Sequence, residues 1–198
     1  MKAKLFYLMI VGLALVIQSC DDFLDRKPVS QGIAVDNTGT DLLYENADEV
    51  EAALAAVYLD FMNEYFMLDH FVNGDAQSDD TYAGADNPAN FQIDDYEIDA
   101  TNSNVSRDWA YLYGTIGKAN SVINNVDAVP GLADGRKQEI KGEASFVRAY
   151  MYFQLVQLFG DVPVQTEEVT EINAENLEEV YPLLYPARNT VDGVYTQI

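Results

Sequence analysis

The chain has 198 residues, 48% of them hydrophobic, and carries 33 acids against 11 lysines and arginines, a formal charge of −22. That apolar share belongs to a globular chain, not a disordered one, and this length buries one real core. So acidic a surface repels the phosphates of nucleic acid and of anionic lipid, which excludes a nucleic-acid partner and any membrane contact made through charge.

Residues 1–19 read MKAKLFYLMIVGLALVIQS, with Lys2 and Lys4 before an apolar run from Leu5 to Ile17. A basic start, a short apolar core and a small residue before a cut site predict a signal peptide over 1–19. About thirteen residues at 1.5 Å each fall short of a roughly 30 Å hydrocarbon layer. Cys20 follows, the single cysteine of the chain, so no internal disulfide forms. A signal ending on cysteine suggests a bacterial lipoprotein, cut before Cys20 and acylated on its thiol. Ile17 and Gln18 depart from the usual leucine and small residue there, and a secretory signal with an incidental cysteine is the alternative. One acyl chain binds a membrane only marginally, while several make a stable anchor. Asp21, Asp22 and Asp25 then read as a solvated tether, or as an export address of the kind found on surface lipoproteins of Bacteroides-like bacteria. Loss of residues 1–19 removes Lys2 and Lys4 and no acid, so the charge becomes −24.

Residues 20–45 contain Pro28, Gly32 and Gly39 and read as an extended tether. Over 47–68, Val50, Leu54, Val57, Phe61 and Tyr65 recur every three or four positions and predict one helix, capped by Asn46 or Asp48. Residues 69–104 read as irregular. A second helix is predicted over 105–126, striped by Trp109, Leu112, Ile116, Ala119, Ile123 and Val126, and ended by Val129-Pro130-Gly131. A third spans 134–160, with Ile140, Ala144, Val147, Met151, Leu155 and Leu158 on one face; Phe146, Tyr150 and Phe153 widen it, so two faces are expected to be covered. Gly160 stops it. A loop with Pro163, Pro182 and Pro186 follows, and Thr190 caps a fourth helix that begins in NTVDGVYTQI. The second and third helices pair antiparallel. The fourth has no second member, so the sequence predicts an all-α fold, incomplete at the C-terminus: a fragment or a shortened product.

The stretches SCDDFLD, NGDAQSDDTYAG, RDWAYLYGTIGKANSVINNV, GEASFVRAYMYFQLVQLFGDVPV and PARNTVDGVYTQI occur in that order. Together they resemble the SusD/RagB family of outer-membrane nutrient-binding lipoproteins. The third helix is the most specific piece, an alanine-bearing Glu–Arg–aromatic helix that closes on Phe-Gly-Asp-Val-Pro. The resemblance covers essentially the whole chain but only the N-terminal part of the family, and Gly193 stands where relatives often carry a better helix former. It implies tetratricopeptide-like helical pairs with irregular loops over 46–198. It implies no enzyme and no cofactor, but a lipid-anchored protein, facing outward from the outer membrane, that captures glycans or other nutrients. The implied partner is a TonB-dependent, SusC-like transporter.

GTIGKAN over 114–120 is too short for a phosphate loop and lacks the Ser or Thr for Mg²⁺, so Gly114 and Gly117 read as points of close helix contact. His70 is the only histidine, which excludes a Cys/His metal set and leaves it a capping or packing role. Glu143 and Arg148 read as ties to neighbouring elements. Between Gly74 and Ser106 there is no basic residue. Asp75, Asp79, Asp80 and Tyr82 sit in that stretch; Asp80 occupies the place where a calcium loop of EF-hand type needs glycine. The acids read as turn and helix caps, as ligand contacts or as a looser metal site. Acids suit sugar hydroxyls and aromatic faces stack on sugar rings, so Asp75, Asp79, Asp80, Tyr82 and Tyr96 are the ligand-binding candidates. Trp109, Tyr111 and Tyr113 are further stacking candidates, of which Trp109 begins a helical stripe and fits core packing better. A surface glycoside hydrolase, which needs two spaced carboxylates, and a helical interaction module without a nutrient ligand are the competing readings.

Overall fold

Asn46 opens the first helix. Its side-chain oxygen accepts the Glu49 N–H at 3.1 Å, and the Glu49 carboxylate accepts the Glu45 N–H at 2.7 Å. Such reciprocal caps satisfy orphan donors of a first turn. In this computed structural model, which describes residues 42–83, 87–169, 172–173 and 175–198, α1 runs Ala47–Leu59. The expected signal peptide, Cys20 and residues 20–41 of the expected tether lie outside the described residues.

The single helix expected over 47–68 is broken. A 3₁₀ turn, Asp60–Met62, ends α1; Asn63 is extended (φ −72°, ψ 168°); a π-helical turn, Tyr65–Asp69, leads into α2, His70–Gly74. The cause is polar. Asp60 accepts from Thr115 at 2.8 Å and Lys118 at 2.7 Å, and the Asn63 side chain accepts the Phe66 N–H at 3.4 Å. A side chain that caps the next segment competes with the helix it would otherwise continue. Apolar spacing does not register this, because Tyr65 is still buried and Phe61 still packs on the core.

The stretch expected to be irregular also holds α3, Pro88–Asp94, with Asn87 accepting the Ala89 N–H at 3.0 Å and Pro88 in the first turn. Helix α4 runs Ser103–Asn125. Its cap, Asn102, is buried; it accepts from Asn104 and Val105 at 3.1 Å each and donates to the Ala89 carbonyl at 3.0 Å, so one side chain starts α4 and fastens it to α3. After a 3₁₀ turn, Val126–Ala128, and Gly131 at φ +71°, α5 runs Asp134–Phe159. The short connection turns it back along α4, and α1 packs against both.

The core lies in that seam. Leu112, Ile116, Ala119, Val122 and Val126 meet Ile140, Ala144, Val147, Met151 and Leu155, with Val50, Leu54 and Val57 from α1. Each fully buried side chain of this size contributes roughly 1.5–3 kcal/mol. Of the three aromatics expected to widen the α5 stripe, Tyr150 packs on the core against Phe61 and Phe66, whereas Phe146 is 65% exposed and Phe153 38%, so that face is covered only at Tyr150; Leu158 is 38% exposed, which corrects its place in the stripe. Gly114 and Gly117 are exposed, and a Cβ on either would meet nothing within 4 Å, so they are not points of close contact.

Gly160 sits at φ +68°, ψ −121° and turns the chain out of α5. Val162 and Asn189 form an isolated antiparallel bridge, the only β pairing among the described residues. The expected proline loop contains α6, Leu177–Leu184, which accommodates Pro182. Helix α7, Val191–Gln197, starts where Thr190 accepts the Gly193 N–H at 3.2 Å and places Val194 in the core. The fold is all-α, as expected, and no described helix is long and apolar enough to cross a membrane.

These placements separate three substitutions. Leu112→Ala removes a fully buried side chain from the seam and is expected to cost about 2–5 kcal/mol in urea unfolding. Gly160→Ala places a Cβ at positive φ and costs about 1 kcal/mol or more, whereas Leu158→Ala stays within about 0.5 kcal/mol.

Candidate functional site

The turn after α2 is built by Ser78. Its hydroxyl and N–H both donate to the Asp75 carbonyl, at 2.7 and 3.0 Å, and its oxygen accepts the Asp80 N–H at 3.3 Å. Asp75, Asp79 and Asp80 are thereby held at the surface, and no described lysine or arginine pairs with them. No described group of three or more His, Cys, Asp or Glu side chains gathers at metal-binding distance.

The two tyrosine candidates emerge from the same unit. Tyr82 is 69% exposed with its ring 6.0 Å from Phe91, and the next residue, Ala83, is buried and donates its N–H to Asp94 at 3.2 Å. Tyr96 is also 69% exposed and stands at φ +57°, a left-handed conformation unusual for a bulky residue. Its hydroxyl donates to the Gln77 carbonyl, tying the end of α3 to the turn after α2. A small second core of Val72, Ala76, Ala83 and Ile93 supports both.

Gln77 also lines a cleft of roughly 370 Å³ between α2, α4 and α5. Tyr65, Asp108 and Gln154 are its most buried lining groups, with His70 and Phe159 also on its wall. The Tyr65 hydroxyl donates to Gln154 at 2.8 Å, and the Asn73 amide donates to Asp108 at 2.8 Å. Burial first, and the charge of Asp108 next, hold the Tyr65 hydroxyl protonated far above its ordinary range. His70 packs edge-on to Tyr65, ring centroids 5.8 Å apart, which agrees with the packing role expected for it.

Beneath the cleft lies a charged cluster that sequence reasoning missed. Arg107 reaches Asp69 at 2.5 Å and Glu64 at 3.1 Å; Asp69 and Asp108 are each only 1% exposed. Asp69 Oδ1, Asp108 Oδ1 and Arg107 Nε have no hydrogen-bond partner. Burial, followed by the adjacent Asp69, pushes the Asp108 carboxyl up to about 8. The structure thus brings Tyr96 to the cleft's rim through Gln77, and leaves Asp75, Asp79, Asp80 and Tyr82 on the exposed turn outside its lining.

The remaining candidates have structural places. Trp109 packs on Tyr113 at 4.8 Å and Phe159 at 5.0 Å, with Arg188 6.0 Å over its ring, and Tyr113 donates to the Pro163 carbonyl at 2.6 Å. Arg148 donates to Asn120 at 2.9 Å, and Glu143 accepts from Tyr58 at 3.2 Å and Arg136 at 2.8 Å, so both are ties between helices or turns.

A family model described as "Starch-binding associating with outer membrane" matches residues 22–198. The chain belongs to the SusD-like family. A SusD-like protein of Bacteroides ovatus is 32% identical over 165 residues, covering 82% of this chain and 28% of that protein. SusD-like protein P25 of Formosa agariphila is 25% identical over 158 residues, 75% of this chain and 29% of its own. Among solved structures, a laminarin-binding SusD-like protein superposes with a TM-score of 0.62 at 28% identity, covering 78% of this chain and 32% of that one. Surface glycan-binding protein A from Bacteroides uniformis gives 0.63 at 20% identity, covering 76% and 32%, which is a likeness of fold. The chain therefore spans under a third of the length of these SusD-like proteins.

Arg107 is the sole described cation bonded to Asp69, so Arg107→Leu leaves a buried carboxylate without its counter-charge. The expected loss is about 3 kcal/mol, the lower end of what breaking a buried pair costs, measured by urea unfolding at pH 7.

Proposed function

We propose that this SusD-like chain is the N-terminal helical part of an outer-membrane lipoprotein that captures glycans and hands them to a TonB-dependent, SusC-like transporter. Residues 1–19 act as the signal peptide, Cys20 carries the lipid, residues 20–45 form the tether that leads the chain to the cell surface, and 46–198 form the helical domain. The observation that carries this reading is the family match over 22–198, joined to a 28%-identical laminarin-binding relative of the same fold.

The mechanism is binding without bond cleavage. Tyr82 and Tyr96 offer faces to sugar rings, as aromatic side chains do wherever one side must be apolar and the tip wet. Asp75, Asp79 and Asp80 accept from sugar hydroxyls. The absence of any basic residue from Gly74 to Ser106 favours a neutral glycan over a sulfated or uronate-bearing one. The rest of the site comes from the longer architecture of the relatives.

Three experiments test this. Affinity purification from detergent-solubilised outer membrane is expected to recover a large β-barrel protein in near-equal amount; recovery without one removes the transport role. Cys20→Ala is expected to move the chain out of the membrane fraction. In isothermal calorimetry against laminarin and other neutral glucans, the Tyr82→Ala/Tyr96→Ala double variant is expected to bind about tenfold more weakly, on the order of 1.4 kcal/mol. Release of reducing sugar during that titration would contradict capture without cleavage.

A further inference from the structure

The buried acids under the cleft are not used by the capture reading, and their geometry asks for an account. Asp69 closes the π-helical turn and Asp108 stands in the second turn of α4. Each has one oxygen engaged: Asp69 Oδ2 by Arg107, Asp108 Oδ2 by Asn73. Each has its other oxygen, Oδ1, buried and unpaired, and the two side chains lie within hydrogen-bonding reach of each other. Two carboxylates cannot face each other dry with both charges intact. One proton between the two free oxygens satisfies both at once. It also leaves a single negative charge, which Arg107 matches at 2.5 Å.

We propose that Asp69 and Asp108 share one buried proton across their Oδ1 atoms, and that this proton locks the π-helical turn and α2 onto α4, fixing the wall and floor of the cleft. The lock joins the parts that shape the cleft: Tyr65, His70 and Asn73 stand on the segment held by Asp69, while Asp108 belongs to α4. Loss of the proton sets two like charges against each other and drives that segment away from α4.

Every neighbouring element contributes groups that bear on the pair. Glu64 precedes the π-helical turn, and Tyr65 lies in it. His70 and Asn73 come from α2, Arg107 from α4, and Tyr150 and Gln154 from α5. Of these Asn73 and Arg107 oppose the lock, the amide through its hydrogen bond to the Asp108 carboxylate and the guanidinium through its charge, while burial favours the lock more strongly than either.

An unfolded aspartate releases its proton near pH 4; the folded Asp108 carboxyl holds one to about pH 8. Between those values the native state binds more protons than the unfolded state, so the pair's stabilisation is complete below pH 4 and is lost progressively as the pH rises to 8.

The test compares the full chain with Asp108→Asn, both carrying His70→Gln to remove the only histidine. The asparagine keeps the donor at every pH. Melting temperatures from pH 5 to 9 are expected to fall for the aspartate form relative to the asparagine form, the gap widening by several degrees towards pH 9. Parallel curves overturn the proposal. So does a melting temperature at pH 9 that calcium restores in the parent but not in Asp108→Asn, since a cation would then bridge the oxygens. A second readout needs no variant to fold: with ¹³C-labelled aspartate, one carboxyl carbon of the parent protein is expected to keep the chemical shift of a protonated carboxyl group at pH 6. A spectrum in which every aspartate is ionised at pH 6 overturns the inference.

Discussion

The apolar seam between α4 and α5 is the constraint on which the other elements depend. It fixes two long helices side by side, and each shorter element is positioned by attachment to one of them. Thr115 and Lys118 on α4 hold Asp60 and so end α1. Asn102 at the start of α4 holds α3. Tyr152 on α5 exchanges hydrogen bonds with the Gln165 backbone, at 2.9 and 2.7 Å, which guides the chain from Gly160 towards α6. The interior of the seam is mostly apolar, crossed by the Arg148–Asn120 hydrogen bond, and its ends are more polar. The cleft and the exposed tyrosines sit at the end where α4 begins.

That division explains which parts were legible in the sequence. The seam was legible because its residues repeat at helical spacing over twenty or more positions, long enough for period to outweigh local preference. The bounds of α4 and α5 fall within two residues of the expected ones. The break at Asp60–Asn63 was not legible, because it is caused by a side chain on α4 some fifty-five positions away. Helix α6 was hidden by Pro182, which reads as a breaker. In a helix of eight residues it removes a single donor, and Val180 still finds cover. Phe146 and Phe153 show the opposite limit: spacing marks a side chain as apolar without showing that a neighbour covers it.

The candidate site divides in the same way. Tyr82 and Tyr96 were marked by standing in a polar stretch without helical period, and both are exposed. What sequence could not supply was their fastening, since the Tyr96 hydroxyl meets the backbone of Gln77, nineteen positions earlier. Asp69 and Asp108 were invisible for a statistical reason: aspartates are seldom buried, and in a chain with 33 acids no single one draws notice. One signal was present. Arg107 is the first lysine or arginine after Lys27, so no lysine or arginine nearer in sequence was available to Asp69.

The scarcity of cations also accounts for the form of the buried cluster. In a chain with a balanced composition, two buried aspartates would each meet an arginine or lysine. Here one guanidinium serves Asp69 and the partly exposed Glu64, and none is left for Asp108. A neutral donor, the Asn73 amide, takes one oxygen, and a proton bound to the carboxyl removes the buried charge that no further cation is present to match. The same acidity that keeps nucleic acid and anionic lipid away therefore acts inside the fold as well. It turns a position that would ordinarily be an ion pair into one that responds to protons, directly beneath the cleft whose wall it helps to hold.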